Sequence, residues 1–268
     1  MSEIAPLPTN KDEAWRYSDA DWLAKADPAV IGVWRESIVP EGQAIRETTH
    51  LTEAGATRLR VHVEKGARYE HFALNTAGPF ARLEIEVTLE EGAHFEFGAV
   101  TLGGGDAIQE FVTRTIHAEP HGTSNQVVRA VQWGRSTGNF LGRIEVVRDA
   151  QKTDAGMNFR ALLLEKGASA NTKPELEIFA DDVLCAHGAA IGQMDADAAY
   201  YMAARGIPPE AAKKLLVQAF IGDAFAELDD GEARDTLMDA ALNALDGCLL
   251  YTSPSPRDRT RSRMPSSA

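Results

Sequence analysis

The chain has 268 residues, 44% hydrophobic and 25% charged, the proportions of a soluble globular protein large enough to bury one substantial core. Its formal net charge of −13 repels phosphate backbones, so nucleic-acid binding is not expected. No apolar run reaches the roughly 18 residues of a membrane span, and the opening "MSEIAPLPTNKDEAW" lacks a signal-peptide core, which makes a cytoplasmic location the expectation.

Residues 10–25, "NKDEAWRYSDADWLAK", read as a short amphipathic helix with Asn10 or Asp12 as cap and Trp15 and Trp22 on one face. We take 1–43 as an N-terminal helical segment. From Ala44 to about Gly192 helical periodicity gives way to strict alternation. In "RLEIEVTLEEGAHFEFGAV", Leu83, Ile85, Val87 and Leu89 share one face, and Ala93, Phe95, Phe97 and Ala99 continue it past the turn. The turn recurs as "TEAGA" at Thr52, "VEKGA" at Val63, "LEEGA" at Leu89 and "LEKGA" at Leu164, where glycine supplies positive φ or a close approach. The region contains no Asn-Gly or Asp-Gly hairpin signal and no crossover helix. Many strands without hairpins or helices point to a parallel β-helix spanning 44–192, with a β-sandwich as the runner-up.

Helix returns at 193–247. Asp195 caps "ADAAYYMAAR", Gly206 sits at its C′ position, and Pro209 and Glu210 open "IPPEAAKKLLVQAFIGDAFAEL". Ala212, Leu216, Ala219 and Phe220 form its apolar stripe, extended by Phe225 and Leu228; a last helix covers roughly Glu232 to Leu245. The final 21 residues, "CLLYTSPSPRDRTRSRMPSSA", shift abruptly to Ser, Pro and Arg and read as an artefactual or disordered tail, 248–268. Without their four Arg and one Asp the balance is 23 basic against 39 acidic residues, a net charge of −16. That leaves Cys185 as the single cysteine of the body and excludes an internal disulfide.

Cys185 lies in "TKPELEIFADDVLCAHGAAIGQMD". Alternation puts Leu176, Ile178, Ala180, Leu184 and Ala186 on the core face and directs Cys185 and His187 outward together. A thiol and an imidazole two residues apart on a strand reach one metal ion or one shared partner. The competing reading is a small packed cysteine beside a turn-capping histidine, and the residues alone leave both open. Asp181 and Asp182 are the acidic pair a β-helix carbohydrate lyase or hydrolase would use, yet adjacent strand residues point apart, so a turn role fits better. The other histidines, from His50 to His121, lack metal-ligand spacing and read mostly as surface residues. "GGG" at Gly103 and "WGRSTGNFLG" at Trp133 lack a Walker lysine, so no nucleotide is expected to bind this chain. No complete catalytic constellation is visible. Two donors cannot hold an iron–sulfur cluster, which takes about four, so any metal work would need ligands from another chain.

"NTKPELEIFADDVLCAHGAAIGQMDADAAYYMAARGI" closely resembles the C-terminal signature of the SufB/SufD family, scaffold subunits of the SUF iron–sulfur assembly machinery. "LPTNKDEAWRYSD" resembles the opening motif of its SufD branch, as does Gly188 after the histidine, where SufB typically has Glu. The resemblance implies a right-handed parallel β-helix between helical ends and a non-enzymatic scaffold role. It also implies a complex with SufB and the ATPase SufC, with a transient cluster or iron at the SufB–SufD interface. His187 matches the family's functional histidine and Cys185 the cysteine before it. Ile207 to Leu228, with Ile207, Leu215, Leu216, Phe220 and Phe225 as candidate contacts, matches the region that docks SufC. Whether the chain pairs with itself when alone is left open. The chain lacks the longer N-terminal helical region of many relatives, and its β-core is shorter.

Overall fold

The computed structural model describes residues 7–249. A 3₁₀ turn at Glu13–Trp15 and two one-turn helices, α1 (Ala20–Leu23) and α2 (Pro28–Ile31), lead into β1 (Arg35–Val39), β2 (Ala44–Leu51), β3 (Gly55–Val63), β4 (Arg68–Asn75), β5 (Phe80–Leu89) and β6 (His94–Gly103). There follow β7 (Ile108–His117), β8 (Thr123–Gln132), β9 (Thr137–Val146), β10 (Asp154–Leu163), β11 (Ser169–Ile178) and β12 (Leu184–Gln193). α3 (Ala196–Ala204), α4 (Pro209–Gly222), a 3₁₀ turn at Asp223–Phe225 and α5 (Gly231–Leu249) complete it. Residues 250–268, most of the expected tail, lie outside the described residues.

Odd-numbered strands build one six-stranded sheet in the order β1-β3-β5-β7-β9-β11, and even-numbered strands a second, β2 through β12. Every neighbouring pair is parallel and in register. This is the parallel β-solenoid expected from alternation without hairpins, each coil giving one strand to each sheet. It starts earlier than Ala44, since β1 pairs with β3. The expected N-terminal helix is instead broken into short turns, and Asp19, not Asn10 or Asp12, accepts the capping bonds, from the amides of Asp21 and Trp22.

The two inward faces meet in one apolar core, with Leu83, Ile85, Val87, Leu89, Ala93, Phe95, Phe97 and Ala99 inside as alternation requires. Aromatic rings stack along it, Tyr69 on Phe95 at 5.8 Å and Phe140 on Phe159 at 5.9 Å. Corners decide which residues face in. Residues 64–67 and 90–93 are four-residue corners and preserve the phase of alternation; 118–122 and 179–183 have five residues and 147–153 seven, and these reverse it. Gly66 and Gly92 take positive φ at one corner column, which His121 and Lys152 continue. Gly167 meets the expectation differently, by close approach: a Cβ there would lie 2.4 Å from the Gly134 carbonyl oxygen.

The helices cover the outer face of the second sheet. Val217, Ile221, Ala224, Phe225 and Leu228 pack onto Phe72, Leu74, Val100 and Val131. Gly98 admits this approach, because a Cβ there would fall 2.0 Å from the Ala224 carbonyl oxygen. The Arg129 guanidinium, nearly sealed, pairs with Asp223 and pins the turn. The buried stripe of α4 therefore runs through Ala212, Val217 and Ile221, rotated from the expected one, and leaves Leu215 and Ala219 exposed.

Two histidines expected at the surface are wholly buried. His71 bonds the Tyr69 hydroxyl at 2.8 Å and Thr49 at 3.1 Å, and burial followed by the Arg35 charge lowers its pKa to about 3. His117 bonds Ser124 at 3.0 Å, and burial followed by His94 lowers it to about 4. Both stay neutral in the fold at pH values where the unfolded chain, titrating near 6.5, takes up protons. Their contribution is intact above pH 6.5 and is lost as pH falls toward 4, at up to about 1.4 kcal/mol per pH unit each. Urea unfolding from pH 7.5 to 4.5 should show that decline, and His117→Gln should flatten the slope even if it lowers stability at pH 7.5.

Candidate functional site

Cys185 and His187 stand on β12, the last strand of its sheet. Register aligns Cys185 with Ala155, His187 with Met157 and Ala189 with Phe159 of β10. Those three β10 residues point into the core, so Cys185 and His187 occupy the interior column and not the outward face. The five-residue corner at 179–183 is the reason: it reverses the phase between Ile178 and Cys185, and Leu184, expected in the core, is 72% exposed. The two side chains nevertheless do face solvent. Ala155, Met157 and Phe159 are 2–3% exposed because β12 covers them, whereas among the described residues no further coil covers β12. Cys185 is half-buried against the core and His187 is exposed.

Residues two apart on a strand are separated by ~7 Å along it, close enough for thiol and imidazole to bracket one ion or one incoming side chain. Burial first, then the Asp154 carboxylate, push the Cys185 thiol above its ordinary value, against a backbone hydrogen bond at Ala155. Among the described residues no group of three or more His, Cys, Asp or Glu is placed to hold a metal ion. A thiol and an imidazole are donors that suit iron, and two donors fall short of the roughly four that a cluster takes. The same coil carries exposed apolar side chains, Ile178, Phe179, Leu184 and Ile191, each at least 40% exposed. β11 and β12 are both sheet edges with unpaired backbone groups.

Asp181 and Asp182 lie in the corner as expected for a turn. Asp182 pairs with Lys152, its amide donates to Gln151 Oε1 at 2.9 Å, and its carbonyl accepts from the Lys152 amide at 2.6 Å. Nothing there resembles a carboxylate pair facing a substrate groove.

Of the five helical contact candidates, Leu215 is exposed; Ile207, Leu216 and Phe220 are half-buried. Phe225 is fully buried against the solenoid, a packing residue in this chain. Sequence reasoning missed an open groove of about 610 Å³ between α4 and α5, lined by Leu215, Ala219, Met238 and Leu242 together with the polar Gln218, Arg234, Asp235 and Asp239. Leu215 was already among the candidates named from the sequence; the exposure of Ala219 follows from the rotation of the helix, for which the sequence carries no local signal. Tyr200 and Tyr201 of α3 are also exposed, and no residue of α3 is buried.

Residues 46–220 match the family model described as the SUF system FeS cluster assembly, SufBD core domain. The chain belongs to the SufB/SufD family. It is 35% identical over 160 residues to an iron–sulfur cluster assembly SufBD family protein of Synechocystis, covering 59% of this chain and 35% of that protein. It is 33% identical over 178 residues to the chloroplastic protein ABCI7 of Arabidopsis thaliana, covering 65% and 37%. With the SufD of Escherichia coli it shares 37% identity over 107 residues, 40% of this chain and 25% of that one. The chain thus spans about a third or less of the length of these relatives. The matched segment contains all the strands but β1 and part of β2, together with α3 and most of α4. Among the described residues no helix is long and apolar enough to cross a membrane.

The Asp154 effect is directly measurable. In a Cys248→Ser background, Asp154→Asn should speed alkylation of Cys185 at pH 7 by about two- to fivefold, because losing the carboxylate raises the thiolate fraction.

Proposed function

We propose that this chain is a SufD-type, non-catalytic subunit of a SUF scaffold complex, forming one wall of a chamber in which an iron–sulfur cluster is assembled. The observation that carries this reading is the position of Cys185 and His187 in the interior column of the last coil, left accessible at the end of the stack on a coil that also exposes apolar side chains. A SufB subunit would cover that end, bury those side chains and supply the remaining ligands. The cluster or its iron is cargo, held in passing, with His187 the neutral imidazole donor and Cys185 a secondary one. The groove between α4 and α5, where Leu215 and Met238 stand among Arg234, Asp235 and Asp239, is the surface on which we place the SufC ATPase. Nucleotide hydrolysis would then reach the solenoid through Asp223–Arg129 and the helix packing over Gly98.

The test is the three-component complex purified after co-expression. His187→Ala removes one polar side chain and leaves the exposed apolar residues of the last coil in place, so it should leave assembly of the complex intact while lowering its iron and sulfide content severalfold. Unchanged iron and sulfide would remove His187 from the function. Leu215→Asp should abolish co-purification of the ATPase and leave the SufB contact in place; retention of the ATPase would reject the assigned groove.

A further inference from the structure

The outer face of the first sheet carries an in-register polar row, Arg82, Glu110, Asn139 and Asn171, on the neighbouring strands β5, β7, β9 and β11. Arg82 Nη1 donates to Glu110 Oε2 at 3.0 Å, Asn139 Nδ2 to Glu110 Oε1 at 2.9 Å, and Asn171 Nδ2 to Asn139 Oδ1 at 2.9 Å. Arg82 and Glu110 are fully buried although they stand on an outward face. The cover is the N-terminal segment. Ser18 Oγ donates to Glu110 Oε2 at 2.6 Å, the Ala14 carbonyl accepts from Arg82 at 2.8 Å, and the Tyr17 carbonyl accepts from Asn139 at 3.2 Å. The Trp15 ring lies 3.8 Å from the Arg82 guanidinium, and Glu13 pairs with Lys173 of β11. The segment therefore crosses the sheet from β5 to its far edge.

That edge is the weak end of the stack. β11 is bonded on one side only, its side chains are at best half-buried, and a five-residue corner joins it to β12. We propose that the N-terminal segment is a splint that holds the last coil closed, and that Trp15, Ser18 and Glu13 are thereby positioning residues for Cys185 and His187, more than 150 positions away in sequence. The relevance to cluster assembly rests on the function proposed above; the mechanical claim does not. A burial-locked ionic row opens as a unit, because losing the segment exposes Arg82 and Glu110 together and weakens the amide ladder that ends at Asn171.

The test uses the full chain in a Cys248→Ser background and reads amide exchange together with alkylation of Cys185. Trp15→Ala should speed exchange of the β11 and β12 amides and labelling of Cys185 by about tenfold or more, with β4, β6 and β8 of the second sheet, which the segment does not touch, unchanged. Glu13→Ala removes only a surface pair and should speed exchange in β11 by a smaller factor. Faster exchange confined to residues 7–31, with β11, β12 and Cys185 as in the parent, overturns the proposal. If Trp15→Ala loosens the whole chain, Glu13→Ala and Lys173→Ala decide, and unchanged β11 exchange in both overturns it. A dispensable His187 combined with the expected exchange pattern would sink the functional reading alone.

Discussion

A stack of coils protects each strand by laying another on it, and such a stack has to stop. In this chain β4 to β10 lie between two neighbours, and their inward side chains are sealed. The last coil has a floor and no ceiling. Leaving two sheet edges and an apolar interior open to water is costly, and repeat proteins ordinarily place a capping element there. Here the helices that follow β12 turn away and cover the outer face of the second sheet instead. The open end is consequently the place where a thiol and an imidazole belonging to the interior column remain reachable.

The same constraint shapes the chemistry. Cys185 is half in the core, so its thiol is held toward the neutral form, and the nearby Asp154 reinforces this. An imidazole projecting beside it is the readier ligand for a borderline metal. Two donors cannot enclose a cluster, which takes about four; in the function proposed here the remaining ligands come from the subunit that closes the end. The exposed side chains of Phe179 and Leu184 give that second surface apolar area to bury.

Sequence pattern carried the fold well where corners are regular. Four-residue corners keep the alternation in phase, so Leu83 through Ala99 could be assigned to the core across a turn. Cys185 and His187 were singled out by residue type and misassigned by face, because alternation was extended through the 179–183 corner, whose odd length reverses it. No local pattern announces the length of a corner. The buried His71 and His117 were missed for a related reason: both point into the solenoid, where hydroxyl partners outside the local pattern satisfy them, Thr49 two strands before His71 and Ser124 across a corner from His117. The N-terminal motif was legible as a resemblance, but its use as a cover for Arg82 and Glu110 depends on contacts across nearly a hundred residues.

The central claim is that a second subunit completes the open end of the solenoid over Cys185 and His187. Its most direct measurement is the rate of Cys185 alkylation in the Cys248→Ser chain, alone and bound to the SufB subunit, without metal in either case. Strong protection in the complex, with Leu184 and Phe179 protected from footprinting alongside it, is the predicted result. Equal labelling of the free and bound chain would contradict the account.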